Sequence, residues 1–136
     1  MRLTENALLY TNDALLALAP NLVAAAQAQY DAWDEEDVDT YAGGGICHLI
    51  AERFCSVLDD AGIVCTTMSS MAEQHVYVVA QLPEGVYEVD IPWRHYEVGG
   101  GFSWKKLPGV QFGPEHLRFF RLDRNPEKFE MYCEEY

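Results

Sequence analysis

The sequence predicts a single α+β domain, because helical patterns fill its first half and strand patterns fill most of its second half. Apolar side chains recur every three or four residues up to about residue 61. After that point, β-branched and aromatic residues cluster in short runs bounded by Gly, Pro and Asp. The chain has 136 residues, 49% of them hydrophobic, which is enough for one core and too little for two.

Two helices are predicted at the N-terminal end. The first covers residues 12–18, with Asn12 or Asp13 as its cap. Pro20 occupies a first-turn position of the second helix, which we expect to continue to about Glu36. Its apolar stripe is directed to the core or, alternatively, forms a ligand-stacking surface, and consists of Leu22, Val23, Ala26, Tyr30 and Trp33.

The acidic run Asp34–Asp39 follows this helix and is interpreted as a solvated helix end leading into a loop. It lacks the alternating ligands and central glycine of a calcium-binding EF-hand loop. The formal net charge of −13 argues against direct nucleic-acid binding, which requires a basic surface. The charge is compatible with a basic protein partner, with carboxylates that mimic nucleic acid, or simply with a solubilising surface.

A further helix is predicted from Ile46 to Ala61, after the flexible turn Gly43–Gly45. Its apolar positions are 46, 50, 54, 57 and 58, and Gly62 is a typical C-terminal stop. The glycine turn is not a phosphate-binding loop, since no Gly-Lys-Ser/Thr sequence follows it.

Strands are predicted for the remainder of the core. The first spans residues 63–67, and residues 75–82 and 86–91 form a hairpin around Pro83-Glu84-Gly85. Residues 99–113 are expected to form a surface loop, followed by a short strand at 117–122. The tail after Pro126 is expected to form a short acidic helix.

Three residues stand in contexts that suit a nucleophile, its base and the orienter of that base. Cys47 opens a helix, where the dipole and free N–H groups favour the reactive thiolate. A backbone N–H at this position could also donate to a developing oxyanion. His75 begins one strand of the hairpin and Asp90 closes the other. Each also has a structural alternative: a packed cysteine, an edge histidine and a turn-capping aspartate.

The other histidines fit the role of base less well. His48 is adjacent to Cys47, and neighbours on a helix point about 100° apart, so we expect it to face elsewhere. His95 and His116 lie in a turn and a charged region. A metal site of His75, Asp90 and His95 has no supporting ligand spacing, so no metal is predicted.

The remaining cysteines are interpreted as structural. Cys55, Cys65 and Cys133 form no CxxC pair and no disulfide framework, and the first two suit a core. The N-terminus lacks the basic start and apolar core of a secretory signal, and no apolar run reaches the roughly 18 residues of a membrane span. We therefore expect a cytoplasmic protein without a membrane association.

The segment from Gly45 to Pro92 resembles the transglutaminase-like branch of the papain-like cysteine enzymes. The similarity is carried by Gly45-Ile46-Cys47 with Ala51 four residues later, and by the glycine before the next strand, Gly62. It continues with His75 leading a strand and with a hairpin that ends in Val89-Asp90, although Tyr77 stands where the family usually has tryptophan. The match covers about a third of the chain and keeps the order Cys, His, Asp.

This resemblance implies a cysteine helix packed on an antiparallel sheet that carries the histidine and the aspartate. It also implies thiolate attack on an amide or ester of a peptide or protein substrate, through an acyl-enzyme and without a metal or organic cofactor. Tyr41 is the best local candidate for the oxyanion donor, ahead of Gln27 and Gln29. The alternative is an inactive, acidic protein-interaction module of the same fold, such as an inhibitor encoded by a mobile element.

Overall fold

The computed structural model describes residues 13–33, 46–70, 75–100 and 103–122, which form an α+β arrangement of two helices and two antiparallel sheets. The elements in chain order are α1 (Asp13–Ala32), α2 (Cys47–Asp60), β1 (Val64–Ser70), β2 (His75–Leu82), β3 (Gly85–Asp90), β4 (Glu97–Gly100), β5 (Ser103–Lys106) and β6 (Arg118–Arg121). Short 3₁₀ turns at Trp93–His95 and Pro114–His116 complete the described elements.

One long helix, α1, replaces the two N-terminal helices predicted from the sequence. Pro20 lies inside it on the exposed side, so the prediction of a break at this proline was wrong. The buried stripe continues at spacings of three and four across the proline, and tertiary packing therefore outweighs the lost hydrogen bond. This stripe consists of Leu15, Ala19, Leu22, Ala26 and Tyr30.

The C-terminal end of α1 also differs from the prediction. The helix ends at Ala32, and the N–H of Trp33 donates to the carbonyl of Tyr30 at 3.1 Å. Trp33 itself is buried, as expected for the aromatic end of the stripe. The acidic run 34–39 and the glycine turn 43–45 lie outside the described residues.

Helix α2 and its glycine stop confirm the sequence prediction. Gly62 has φ +79°, a left-handed conformation that glycine adopts without steric cost. Its N–H donates to the Asp59 carbonyl and the Ile63 N–H to the Leu58 carbonyl, both at 2.9 Å. This Schellman pattern turns the chain directly into β1.

The main sheet has the strand order β1-β2-β3-β6, with every neighbouring pair antiparallel. The predicted hairpin is confirmed: Leu82 pairs with Gly85 across a two-residue turn, and Val78 pairs with Val89. Helix α2 packs against β1 and β2 of this sheet and also against α1. The start of β2 and the end of β3 therefore lie at the same end of the sheet.

The predicted loop at 99–113 is partly wrong, because β4 and β5 pair as a separate hairpin. The segment that follows is held by α1. The Gln27 side chain donates to the Val110 carbonyl at 3.0 Å and accepts from the Phe112 N–H at 2.8 Å. In the parts of the chain described here, no helix is long and apolar enough to span a membrane.

Candidate active site

The thiol of Cys47 sits at the first residue of α2, as the sequence predicted. Ile46 occupies the N-cap position and provides no side-chain cap to the helix. Cys47 is only 3% exposed, because α2 places it against the sheet rather than on the surface. The backbone N–H of Val76, at the start of β2, donates a hydrogen bond to its sulfur.

The structure brings His75 and Asp90 into direct contact. The His75 Nε2 and Asp90 Oδ2 atoms are 2.8 Å apart, and both residues are 5% exposed. A buried carboxylate requires such a partner, since an unpaired charge in the protein interior is costly. The contact commits Nε2 to Asp90, so Nδ1 is the ring nitrogen left to interact with Cys47.

Cys47 and His75 interact with each other as the sequence hypothesis requires. Burial raises the pKa of the Cys47 thiol, but hydrogen bonds with His48 and His75 and the charge of His75 lower it to about 7. Burial lowers the pKa of His75, whereas the charge and hydrogen bond of Asp90, with a smaller effect of Cys47, raise it well above its usual range. The pair therefore favours a thiolate beside an imidazolium at neutral pH.

The interpretation of His48 as a residue facing elsewhere was wrong. Its side chain hydrogen-bonds with the Cys47 thiol and lowers the thiol pKa. Side chains in the first turn of a helix point back toward its N-terminus, so neighbours can approach each other there. The angular argument holds better in the middle of a helix than at its first residue.

The surroundings of the other two described cysteines raise the pKa of the thiol and so disfavour the thiolate. Burial raises the pKa of Cys55, and the pKa of Cys65 rises to about 12 through burial and the nearby Cys55 and Asp59. The Sγ of Cys65 donates to the Cys55 carbonyl oxygen at 3.6 Å. Thus Cys47 is the only described cysteine whose surroundings favour the thiolate, while Cys133 lies outside the described residues.

Glu97, at the start of β4, is a site residue that the sequence analysis missed. It is 2% exposed and interacts with the backbone N–H of Ile46, directly before Cys47. Burial and the negative charge of Cys47 raise its pKa to about 8, despite opposing effects of His75 and of this N–H. Like Asp90, Glu97 is an acidic residue between two apolar-type neighbours, here Tyr96 and Val98, a pattern that indicates burial. The sequence analysis did not use this pattern because the segment that follows Glu97 was predicted to be a loop.

Tyr96 lies beside Glu97 and is completely buried. Burial, with smaller effects of Cys47, Glu97 and Asp90, raises the pKa of its hydroxyl well above the usual range. This hydroxyl has no hydrogen-bond partner among the described residues. Its ring contacts that of Phe112 edge-to-face, with centroids 6.1 Å apart, so α1 supports it through the 107–112 segment.

The burial of Glu97 predicts an unusual dependence of stability on pH. Between its ordinary pKa near 4.5 and its folded value near 8, the folded state binds more protons than the unfolded state. The free energy of unfolding therefore decreases as pH rises through this window. Glu97→Gln removes this titration, so its stability relative to wild type should increase by a few kcal/mol, in order of magnitude, from pH 5 to pH 9.

Urea denaturation of both proteins at pH 5, 7 and 9 measures this effect. Titrations of groups that do not interact with Glu97 are common to the two proteins and cancel in the difference. A stability difference that stays constant across the three pH values would contradict the assignment of a raised pKa to Glu97.

The predicted oxyanion donors find no support in the described residues. Tyr41 lies outside them. Both ends of the Gln27 amide are engaged with the backbone of Val110 and Phe112. Gln29 accepts a hydrogen bond from the Arg53 side chain at 2.5 Å, in an exposed position.

The histidines outside the site form a group of their own. The rings of His95 and His116 lie 5.2 Å apart, and burial together with His116 and Arg94 lowers the pKa of His95. His116 Nδ1 accepts from the Gly113 N–H at 2.9 Å. Across the described residues, no three His, Cys, Asp or Glu side chains are grouped so that they could hold a metal ion.

Comparisons with known protein families, with curated protein sequences and with solved structures found no match for this chain. The residues and their geometry are therefore the basis for any functional conclusion.

Proposed function

We propose that this protein is a cysteine-dependent acyl hydrolase or acyl transferase with a papain-like, transglutaminase-like core. The observation that carries the proposal is the buried contact series from Cys47 through His75 to Asp90. Cys47 serves as the nucleophile, His75 as the proton carrier and Asp90 as the group that orients the imidazole. The substrates we propose are amides or esters of peptides or proteins.

Each group has a defined part in the reaction. The Cys47 thiolate attacks the carbonyl carbon, and the tetrahedral intermediate collapses to a thioester while His75 gives its proton to the leaving amine. Neutral His75 then takes a proton from water or from an acceptor amine. That nucleophile attacks the thioester, and Cys47 leaves as a thiolate beside the imidazolium. The hydrogen bond to Asp90 keeps Nδ1 directed to the reacting groups throughout.

Thiol reactivity provides the first test. At pH 7 we expect iodoacetamide to alkylate Cys47 at least tenfold faster than Cys55, Cys65 or Cys133, because only Cys47 has a pKa near 7 among the described thiols. Peptide mass spectrometry after timed quenching gives the rate at each cysteine. Equally slow alkylation of all four thiols would contradict the proposal and favour a binding module.

Acyl transfer is tested with p-nitrophenyl acetate as an activated ester. We expect release of nitrophenolate and an acetyl group on Cys47, which intact mass spectrometry detects. Cys47→Ala should abolish the adduct, whereas the matched control Cys55→Ala, on the same helix, should retain it. Adduct formation that persists in Cys47→Ala would show that the reaction takes place elsewhere.

A further inference from the structure

One carboxyl group held by the residue before the nucleophile has an oxygen atom without a hydrogen-bond partner among the described residues. The Oε2 atom of Glu97 is buried and unpaired among the described residues. Leaving a buried polar atom unpaired is energetically costly, so an unpaired atom beside a site indicates a place for a ligand atom. The inference drawn from it rests on the function proposed above.

The backbone determines where the carboxyl group of Glu97 lies. The N–H of Ile46 interacts with this carboxyl group, and Ile46 is the residue directly before the nucleophile. The charges of Cys47 and His75 also act on Glu97, so the carboxyl group lies within electrostatic range of both members of the reactive pair. Since the Ile46 contact does not use Oε2, this atom remains available to a substrate.

The protonation state of Glu97 decides what Oε2 can do. Burial and the Cys47 thiolate favour the neutral acid, with a pKa of about 8, so most molecules hold this proton at pH 7. A neutral carboxyl group is a hydrogen-bond donor, as in enzymes that keep a carboxylic acid protonated in an apolar site. A carboxylate here would instead repel both the thiolate and the developing oxyanion.

We propose that the protonated carboxyl group of Glu97 donates a hydrogen bond from Oε2 to the carbonyl oxygen of the acyl group that Cys47 attacks. As the new carbon–sulfur bond forms, the carbonyl π electrons move to oxygen. The Glu97 O–H stabilises this negative charge without giving up its proton. The electrons return when the leaving group departs, and Glu97 ends the step unchanged.

The first test compares two reactions of the same thiol. Glu97→Ala should lower the rate of acylation by p-nitrophenyl acetate by about 100-fold, the usual effect of removing one oxyanion donor. Alkylation by iodoacetamide should stay within about threefold of wild type, because displacement at a saturated carbon builds no oxyanion on a carbonyl. Glu97→Gln retains an N–H donor, so its acylation rate should fall by only about tenfold.

Controls separate this role from a purely structural one. Val98→Ala changes the exposed neighbour of Glu97 on β4 and should alter neither rate. If Glu97→Ala slows acylation and alkylation equally, the residue merely supports the fold and the proposal is overturned. The same conclusion follows if Glu97→Gln acylates no faster than Glu97→Ala.

The acylation rate as a function of pH distinguishes the proposed role of Glu97 from a purely structural role. The titratable groups around Glu97 are Cys47, His75 and Tyr96, with Asp90 behind His75. Lys106 is opposite Glu97 on β5, and its ammonium group donates to the Trp33 carbonyl. Wild-type acylation should decline above about pH 8 as Glu97 loses its proton, and this decline should disappear in Glu97→Gln. A wild-type rate that instead rises through pH 8 overturns the proposal and points to a carboxylate that binds a cationic substrate group.

Failure of the proposed function gives a different pattern. In that case wild-type Cys47 would be alkylated by iodoacetamide but never acylated by the ester at any pH. Such a result overturns both proposals. If wild type is acylated but Glu97→Gln reacts no faster than Glu97→Ala, only the proposed role of Glu97 is overturned.

Discussion

Replacing His75 with alanine is expected to lower the turnover of p-nitrophenyl acetate by about 10³-fold, within the range for loss of a general acid–base. The variant loses the group that activates water against the thioester. It also loses the hydrogen bond and the charge that lower the pKa of Cys47. Because burial is then opposed only by the hydrogen bonds of His48 and of the Val76 N–H, we expect the pKa of Cys47 to rise above its wild-type value of about 7.

The rate of iodoacetamide alkylation as a function of pH measures the second effect. At pH 7 the thiolate fraction of Cys47 should fall below its wild-type value of about one half, while the more basic thiolate gains nucleophilicity, for a net loss of several-fold in the alkylation rate. The control is His95→Ala, which removes a histidine that pairs with His116 instead. An unchanged alkylation profile in His75→Ala, or an equal shift in both variants, would refute this role of His75.

Replacing Asp90 with alanine is expected to lower the free energy of unfolding by about 3 kcal/mol, because it leaves a buried imidazole without its partner. Asp90 supplies both the charge and the hydrogen bond that raise the pKa of His75. Without them, burial is opposed only by the smaller effects of Cys47, so we expect the folded pKa of His75 to fall from its raised value. Turnover should fall by about 100-fold, since the imidazole loses its orientation.

The sign of this pKa change gives the Asp90 prediction a pH dependence. In the wild type, the raised pKa of His75 contributes stability below pH 6.5, and this contribution is lost as pH rises through the folded pKa. In Asp90→Ala this contribution is lost with the charge and hydrogen bond that produce it. The stability deficit measured by urea denaturation should therefore be larger at pH 5 than at pH 9.

The control is Asp60→Ala, which removes an exposed carboxylate at the end of α2 and should change the free energy of unfolding by less than about 0.5 kcal/mol. A deficit for Asp90→Ala no larger than that of this control would contradict the prediction.

The positions of Cys47, His75 and Asp90 could be predicted because local rules govern them. A glycine-led helix start places a thiol at an N-terminus, and alternation along a two-residue hairpin brings the ends of its strands together. These rules act over a few residues, so they can be applied without knowledge of the rest of the fold. That the three residues act as a catalytic unit stays a prediction.

The features that the sequence analysis missed depend on contacts between distant segments. Pro20 continues a helix because the buried stripe of α1 packs along α2, which the sequence near the proline does not reveal. The hairpin of β4 and β5 follows a glycine-rich pattern that is equally typical of a loop. Glu97 belongs to the site because its carboxyl group contacts the N–H of Ile46, some fifty positions earlier in the chain. The sequence alone does not show that these two residues meet.

The two-residue turn between β2 and β3 limits the insertions and deletions that this domain can accept. Side chains alternate between the faces of a sheet, so a shift of one position sends every side chain of a strand to the opposite face. One residue inserted between Leu82 and Gly85 would move Asp90 away from His75 without altering either residue. Homologous chains that use this acid–base pair should therefore vary in the composition of the turn far more readily than in its length.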